Sequence, residues 1–158
     1  MNKEQKDYYM AGVLDSEGYI GIQKNHKREQ VSPYYHERVA IGMRSGEIIK
    51  MFYDKFSGYL AYRKNTSKIG KQNDNYWAWE VSDKKATLVC EYFVNKLIEK
   101  KEQAQLVLKL RESKNRGQLR RKKSKLLKQR ILDERDLLYN RIINIHGRKK
   151  SNYWKEKL

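Results

Sequence analysis

Hydrophobic and polar positions along the chain change period several times, and each change predicts an element. From Glu4 to Leu14 a polar lead-in passes into Tyr8, Tyr9, Ala11, Gly12, Val13 and Leu14. That pattern predicts one short, almost wholly buried helix, broken at Gly18. Tyr19 to Asn25 then alternates, with Ile20 and Ile22 on one side and Tyr19, Gly21, Gln23 and Asn25 on the other, the period of a strand. Arg38 to Arg44 repeats it, setting Val39, Ile41 and Met43 against Arg38, Ala40, Gly42 and Arg44. Ser45 is placed to cap a following helix that carries Ile48, Ile49, Phe52 and Phe56. Tyr59 to Lys64 alternates again, Leu60 and Tyr62 inward and Arg63 outward, and Tyr76 to Ser82 sets Trp77, Trp79 and Val81 against Tyr76, Ala78 and Glu80. Asp83 is expected to cap a helix bearing Leu88, Tyr92 and Leu97, and a further helical run continues through Ala104, Leu106, Val107, Leu108 and Leu110. The polar stretches Lys24 to Ser32, beside the single proline Pro33, and Asn65 to Asn75 read as loops.

The order is therefore α-β-β-α-β-β-α, and two hairpins separated by a helix predict an α+β fold with a four-stranded antiparallel sheet, helices on one face and the other face open. On that open face the strand phases collect Gln23, Asn25, His36, Arg38, Arg44, Arg63 and Tyr76. Such side chains are able to read base edges in a major groove, although any half-exposed sheet turns polar residues outward.

Charge decides which of these matters more. The 158 residues, about one domain, hold 36 Lys and Arg against 19 Asp and Glu, a net charge of +17 that points to a polyanionic partner. An aromatic content of 11% is too high for a disordered basic tail. Residues 1–99 carry 16 basic and 13 acidic side chains, whereas the remaining 59 carry 20 and 6. Behind the core the chain runs through Arg120, Arg121, Lys122 and Lys123 into a helical pattern of Ile131, Leu132, Leu137, Leu138, Ile142, Ile143 and Ile145. We expect a core domain over residues 1–112 and a basic helical extension over 113–158 that packs on the core and touches phosphates. One cysteine allows no intramolecular disulfide, Cys90 lies on an apolar helix face, and three histidines make no zinc site of the usual spacing. No apolar run is long enough to span a membrane and no signal-peptide core opens the sequence, so a soluble, intracellular protein is expected.

The first helix carries the chemistry. Gly12 and Ser16 stand four apart and share one flat, small-residue face that lets a second helix approach closely, either within the chain or from a second copy. Asp15 and Glu17 fall at the negative end of the helix dipole, where carboxylates are disfavoured, and a hard divalent cation would offset that.

The run Met10-Ala11-Gly12-Val13-Leu14-Asp15-Ser16-Glu17-Gly18, followed by Tyr19-Ile20-Gly21-Ile22, closely resembles the LAGLIDADG motif. With the element order, it is similar to the single-motif LAGLIDADG homing endonucleases over residues 4 to 112. Departures are Met10 for Leu, Ser16 for Ala and Glu17 for the second Asp.

The resemblance implies a homodimeric, site-specific double-strand DNA endonuclease that hydrolyses phosphodiesters with Mg2+, Mn2+ as a substitute, on a long pseudo-palindromic site and leaves 3′ overhangs. It implies a dimer interface of Ala11, Gly12, Asp15 and Ser16, with Asp15 structural at the helix end. It also implies a metal held by Glu17 and the carbonyl of Ser16. Lys100, with Lys101 as fallback, falls at the family's active-site lysine, and Ser45 at a water-organising position that a helix cap explains equally well. The alternative is a protein of the same fold that binds nucleic acid without cutting it, an RNA maturase or a DNA-binding regulator.

Overall fold

A computed structural model of the chain describes residues 1–25, 32–63, 75–116 and 124–151. The elements are α1 (Lys3–Glu17), β1 (Gly18–Asn25), β2 (Tyr34–Met43), α2 (Gly46–Phe56), β3 (Tyr59–Arg63), β4 (Tyr76–Ser82), α3 (Asp83–Phe93), α4 (Lys101–Arg116) and α5 (Lys125–Ser151). Helix α1 opens on a capping box in which Asn2 and Gln5 exchange two hydrogen bonds of 2.9 Å. It ends against Gly18, where a Cβ would fall 2.5 Å from the Leu14 side chain and carbonyl, so helix passes into strand with no intervening loop.

The four strands form one antiparallel sheet in the order β1-β2-β4-β3. Ile20, Ile22, Val39, Ile41, Trp79 and Val81 are buried on one face, against Ile49 and Phe52 of α2, Val89 and Phe93 of α3, and Val107 and Leu110 of α4. This is the α+β arrangement with one covered face. Three helices are also tied by a polar link, in which Asp7 of α1 accepts from Lys55 of α2 and Tyr92 of α3. Helix α5 closes the β1 edge: Ile142 is fully buried, Lys24 pairs with Asp136 at 2.5 Å, and the His146 ring nitrogen donates to the Ile20 carbonyl at 3.2 Å.

Several expectations fail for identifiable reasons. Strand β2 begins at Tyr34, four residues early, because Glu37 lies on the covered side and breaks the apolar alternation. Its buried carboxylate is held by Arg111 at 2.9 Å and Lys114 at 2.8 Å, both from α4. At the other end β2 stops at Met43, which leaves Arg44 beyond the strand. Ser82 occupies the cap position of α3, and Asp83, in left-handed backbone, receives Lys114 at 3.0 Å and Tyr34 at 2.9 Å instead. Leu88 is 58% exposed; the buried side of α3 is Ala86, Val89, Cys90 and Phe93. Leu60 and Tyr62 keep their inward parity, yet both are exposed because no helix reaches over β3. Tyr8 and Tyr9 are likewise exposed on α1. Helix α4 itself runs from Lys101 to Arg116. Lys64, most of the Asn65 to Asn75 loop and the run Arg120 to Lys123 lie outside the described residues.

Candidate active site and nucleic-acid interface

The helix-to-strand junction at Gly18 fixes the site. Asp15, in the last turn of α1, does not look outward: its carboxylate accepts the amides of Ile98 at 2.9 Å, Glu99 at 3.0 Å and Lys100 at 2.7 Å. It thereby caps the approach to α4, and a negative charge at a helix N-terminus is favourable. Burial pushes the Asp15 pKa up, but the three amides and the Lys100 charge outweigh it and hold the carboxyl below the usual range. The dipole penalty expected for this residue is thus offset by the amides ahead of a second helix.

Lys100 follows that cap and turns its ammonium back onto the end of α1, donating to the carbonyls of Asp15 and of Ser16, the latter at 3.1 Å. These carbonyls are among the last in the helix, where no further turn supplies N–H partners. The Ser16 hydroxyl points elsewhere, bonding the Gly12 carbonyl at 3.0 Å. Glu17 is exposed immediately after them. An exposed carboxylate and a helix-end carbonyl are hard oxygen donors of the kind that Mg2+ or Mn2+ takes, and here the Lys100 ammonium hydrogen-bonds the Ser16 carbonyl. Among the described residues no group of three His, Cys, Asp or Glu side chains converges on a point that could hold a metal ion. Ser45 is used as the N-cap of α2, accepting from the Ile48 amide at 3.5 Å.

Glu17 also lies on the margin of the uncovered sheet face, where a shallow depression of about 200 Å³ is lined by Glu17, Tyr19, Arg38, Arg63, Tyr76 and Glu80 among others. The register brings Gln23 opposite His36, and Asn25 lies 3.3 Å from the His36 ring nitrogen. Tyr76 covers Gly42, its ring 3.3 Å from where a Cβ would be. Six of the seven expected contact residues therefore share this face, and Arg44 follows just past the end of β2. Arg38 is not a lone cation: Glu80, which the sequence reading had not singled out, holds it at 2.6 and 2.8 Å. Tyr19 and His146, packed with ring centroids 5.1 Å apart, also join this corner. The strand pattern turned Glu80 and Tyr19 outward, but the contacts of either depend on cross-strand register and, for His146, on a residue 126 positions away.

The expected interface of α1 is brought together only in part. Gly12 is exposed with no atom within 4 Å of a built Cβ, and Ser16 is exposed on the same side. Ala11, in contrast, is 1% exposed inside the chain's own core, and Asp15 is engaged by α4, so neither offers a free surface. The exposed stripe is completed instead by Tyr8 and Tyr9.

No protein-family model and no curated protein matches the chain by sequence. Solved structures do match by shape. The homing endonuclease I-CvuI in complex with its target superposes with a TM-score of 0.68 at 17% identity, over 90% of this chain and 82% of that one. An archaeal intron-encoded homing endonuclease complexed with DNA gives 0.60 at 14% identity, covering 86% and 99%. The chain has the LAGLIDADG homing endonuclease fold. A third match, the LAGLIDADG homing endonuclease I-GzeII in complex with a DNA target, gives 0.64 at 18% identity and covers 84% of this chain but 43% of that one. The chain thus spans less than half the length of that protein. Among the described residues no helix is long and apolar enough to cross a membrane.

Proposed function

We propose that two copies of this chain form a site-specific double-strand DNA endonuclease, one Glu17 from each copy standing at the shared end of the paired α1 helices. The observation that carries this reading is the corner where an exposed carboxylate, two outward helix carbonyls and a lysine ammonium adjoin the basic open face of the sheet. A pure binder need not keep a carboxylate at the DNA backbone.

The open face holds the duplex and the extension adds phosphate contacts; solved proteins of the same fold are complexes with DNA. The Glu17 carboxylate and the Ser16 carbonyl would hold Mg2+, with Mn2+ as a substitute, and the ion would supply Lewis-acid charge for phosphodiester hydrolysis. Lys100 brings a fixed positive charge to the same corner, where it stabilises the negative charge that grows on the phosphate oxygens. Asp15 holds Lys100 in place through its backbone amide. Because each copy supplies one carboxylate, the dimer cuts each strand once, on a long pseudo-palindromic site whose symmetry matches its own, leaving 3′ overhangs.

The test is to enrich duplexes from a randomised library on the purified protein and then incubate the bound pool with Mg2+, with Mn2+ or with EDTA, sequencing the ends. Paired breaks with 3′ overhangs in either metal and none in EDTA are expected. Enriched duplexes that stay intact in both metals would make the protein a binder that does not cut.

A further inference from the structure

Glu80 is an acidic side chain on a face otherwise suited to a polyanion, and its position has a specific use. Ala40 stands between Glu80 on β4 and Tyr19 on β1 in the strand register, and Arg38 is the diagonal neighbour of both, within reach of a long side chain. Arg38 donates Nε–H to Glu80 at 2.8 Å and Nη2–H at 2.6 Å, a bidentate pair in which both side chains are about 30% exposed. On its other side the guanidinium lies 5.9 Å from the Tyr19 ring centroid. That ring is laid along β1 by Gly21, where a Cβ would come within 2.2 Å of the Tyr19 hydroxyl, and His146 packs on it from α5.

A guanidinium has five donors in one plane. Glu80 takes the Nε–Nη2 side, so the edge between Nη1 and Nη2 is left for a ligand, and that edge is the fork that matches O6 and N7 of guanine. We propose that Glu80 is a specificity-determining positioning residue: it fixes the fork of Arg38 so that Arg38 reads one guanine in each half-site. The proposal rests on the DNA reading above. Pairing with Glu80 also neutralises Arg38, which makes it a poor phosphate contact and a selective base contact.

The two roles open to Glu80 differ in sign. As a mere negative charge on the face it would weaken all duplexes alike; as a positioning residue it sharpens one base position. The experiment compares wild type, Arg38→Ala, Glu80→Gln, Glu80→Ala and the double variant Arg38→Ala/Glu80→Ala by selection from the randomised duplex library, with melting curves to confirm folding. Arg38→Ala identifies the guanine position, where a bidentate contact discriminates by about 5- to 150-fold. Glu80→Ala is expected to lower the preference at that same position at least about threefold while binding unrelated duplexes as tightly as wild type or more so, with Glu80→Gln intermediate. The double variant, which leaves no unpaired charge to disturb folding, is expected to match the profile of Arg38→Ala. Tighter binding of every duplex by Glu80→Ala with an unchanged base profile would overturn the proposal, as would an Arg38→Ala profile with no altered position. Failure of the wild type to enrich any duplex would instead overturn the DNA reading on which it rests.

Discussion

Asp15 accepts three backbone amides ahead of α4, so Asp15→Ala removes a charged cap and frees three donors at once. A loss of about 1–2 kcal/mol in unfolding free energy is expected, measured by urea denaturation, because caps of this kind contribute that much. Its folded pKa lies below the ordinary value, as does that of Asp7, where burial is outweighed by hydrogen bonds from Lys55 and Tyr92. A carboxyl depressed in the folded state stabilises it above the unfolded pKa of about 4, and that contribution is lost as pH falls through the folded value. Asp7→Asn and Asp15→Asn are therefore expected to cost stability at pH 7 and to show a shallower loss between about pH 5 and pH 2 than the wild type. Denaturation curves that fall in parallel with the wild type over that range would contradict these assignments.

Between elements, the sharpest case is the exposed stripe of α1. A Cβ at Gly12 meets nothing within 4 Å among the described residues, and replacing a helical glycine removes a conformational entropy cost of about 0.5–1 kcal/mol. Gly12→Leu is thus expected to keep a folded and no less stable protomer while losing the dimer and cleavage together. Sedimentation of the variant decides this, and a folded Gly12→Leu dimer that still cuts would contradict the proposed pairing. The same helix shows how far local pattern reaches. The alternation of β1 and β4 is legible because every covered position there but Lys24 is apolar, and the Gly18 break is legible because glycine has one steric use at that corner. The start of β2 is not, because Glu37 is buried only by virtue of Arg111 and Lys114 from an element 74 or more residues later. Asp83 reads locally as a cap, yet a lysine and a tyrosine from other elements claim its carboxylate. At the candidate site, Glu17 is named by the motif and Lys100 by the family resemblance, whereas the Arg38–Glu80 pair needs the register of two hairpins.

For the whole molecule, the proposed function and a net charge of +17 together predict steeply salt-dependent DNA binding, with each neutralised phosphate contributing about −0.9 to the slope of log K against log salt. Replacing Arg120, Arg121, Lys122 and Lys123 by glutamine is expected to flatten that slope by up to about 3–4 and to leave the base profile unchanged, since phosphate contacts read no sequence. An unchanged slope would remove that run from the interface. The central claim is that the carboxylate at the α1 junction makes a DNA-binding sheet into a nuclease, and its most direct test is Glu17→Gln assayed for binding and for cleavage on the same enriched duplex in Mg2+. The account predicts specific binding within about threefold of wild type and cleavage lower by about 100-fold or more, the scale on which loss of one transition-state charge contact acts. Cleavage by Glu17→Gln at the wild-type rate would contradict it.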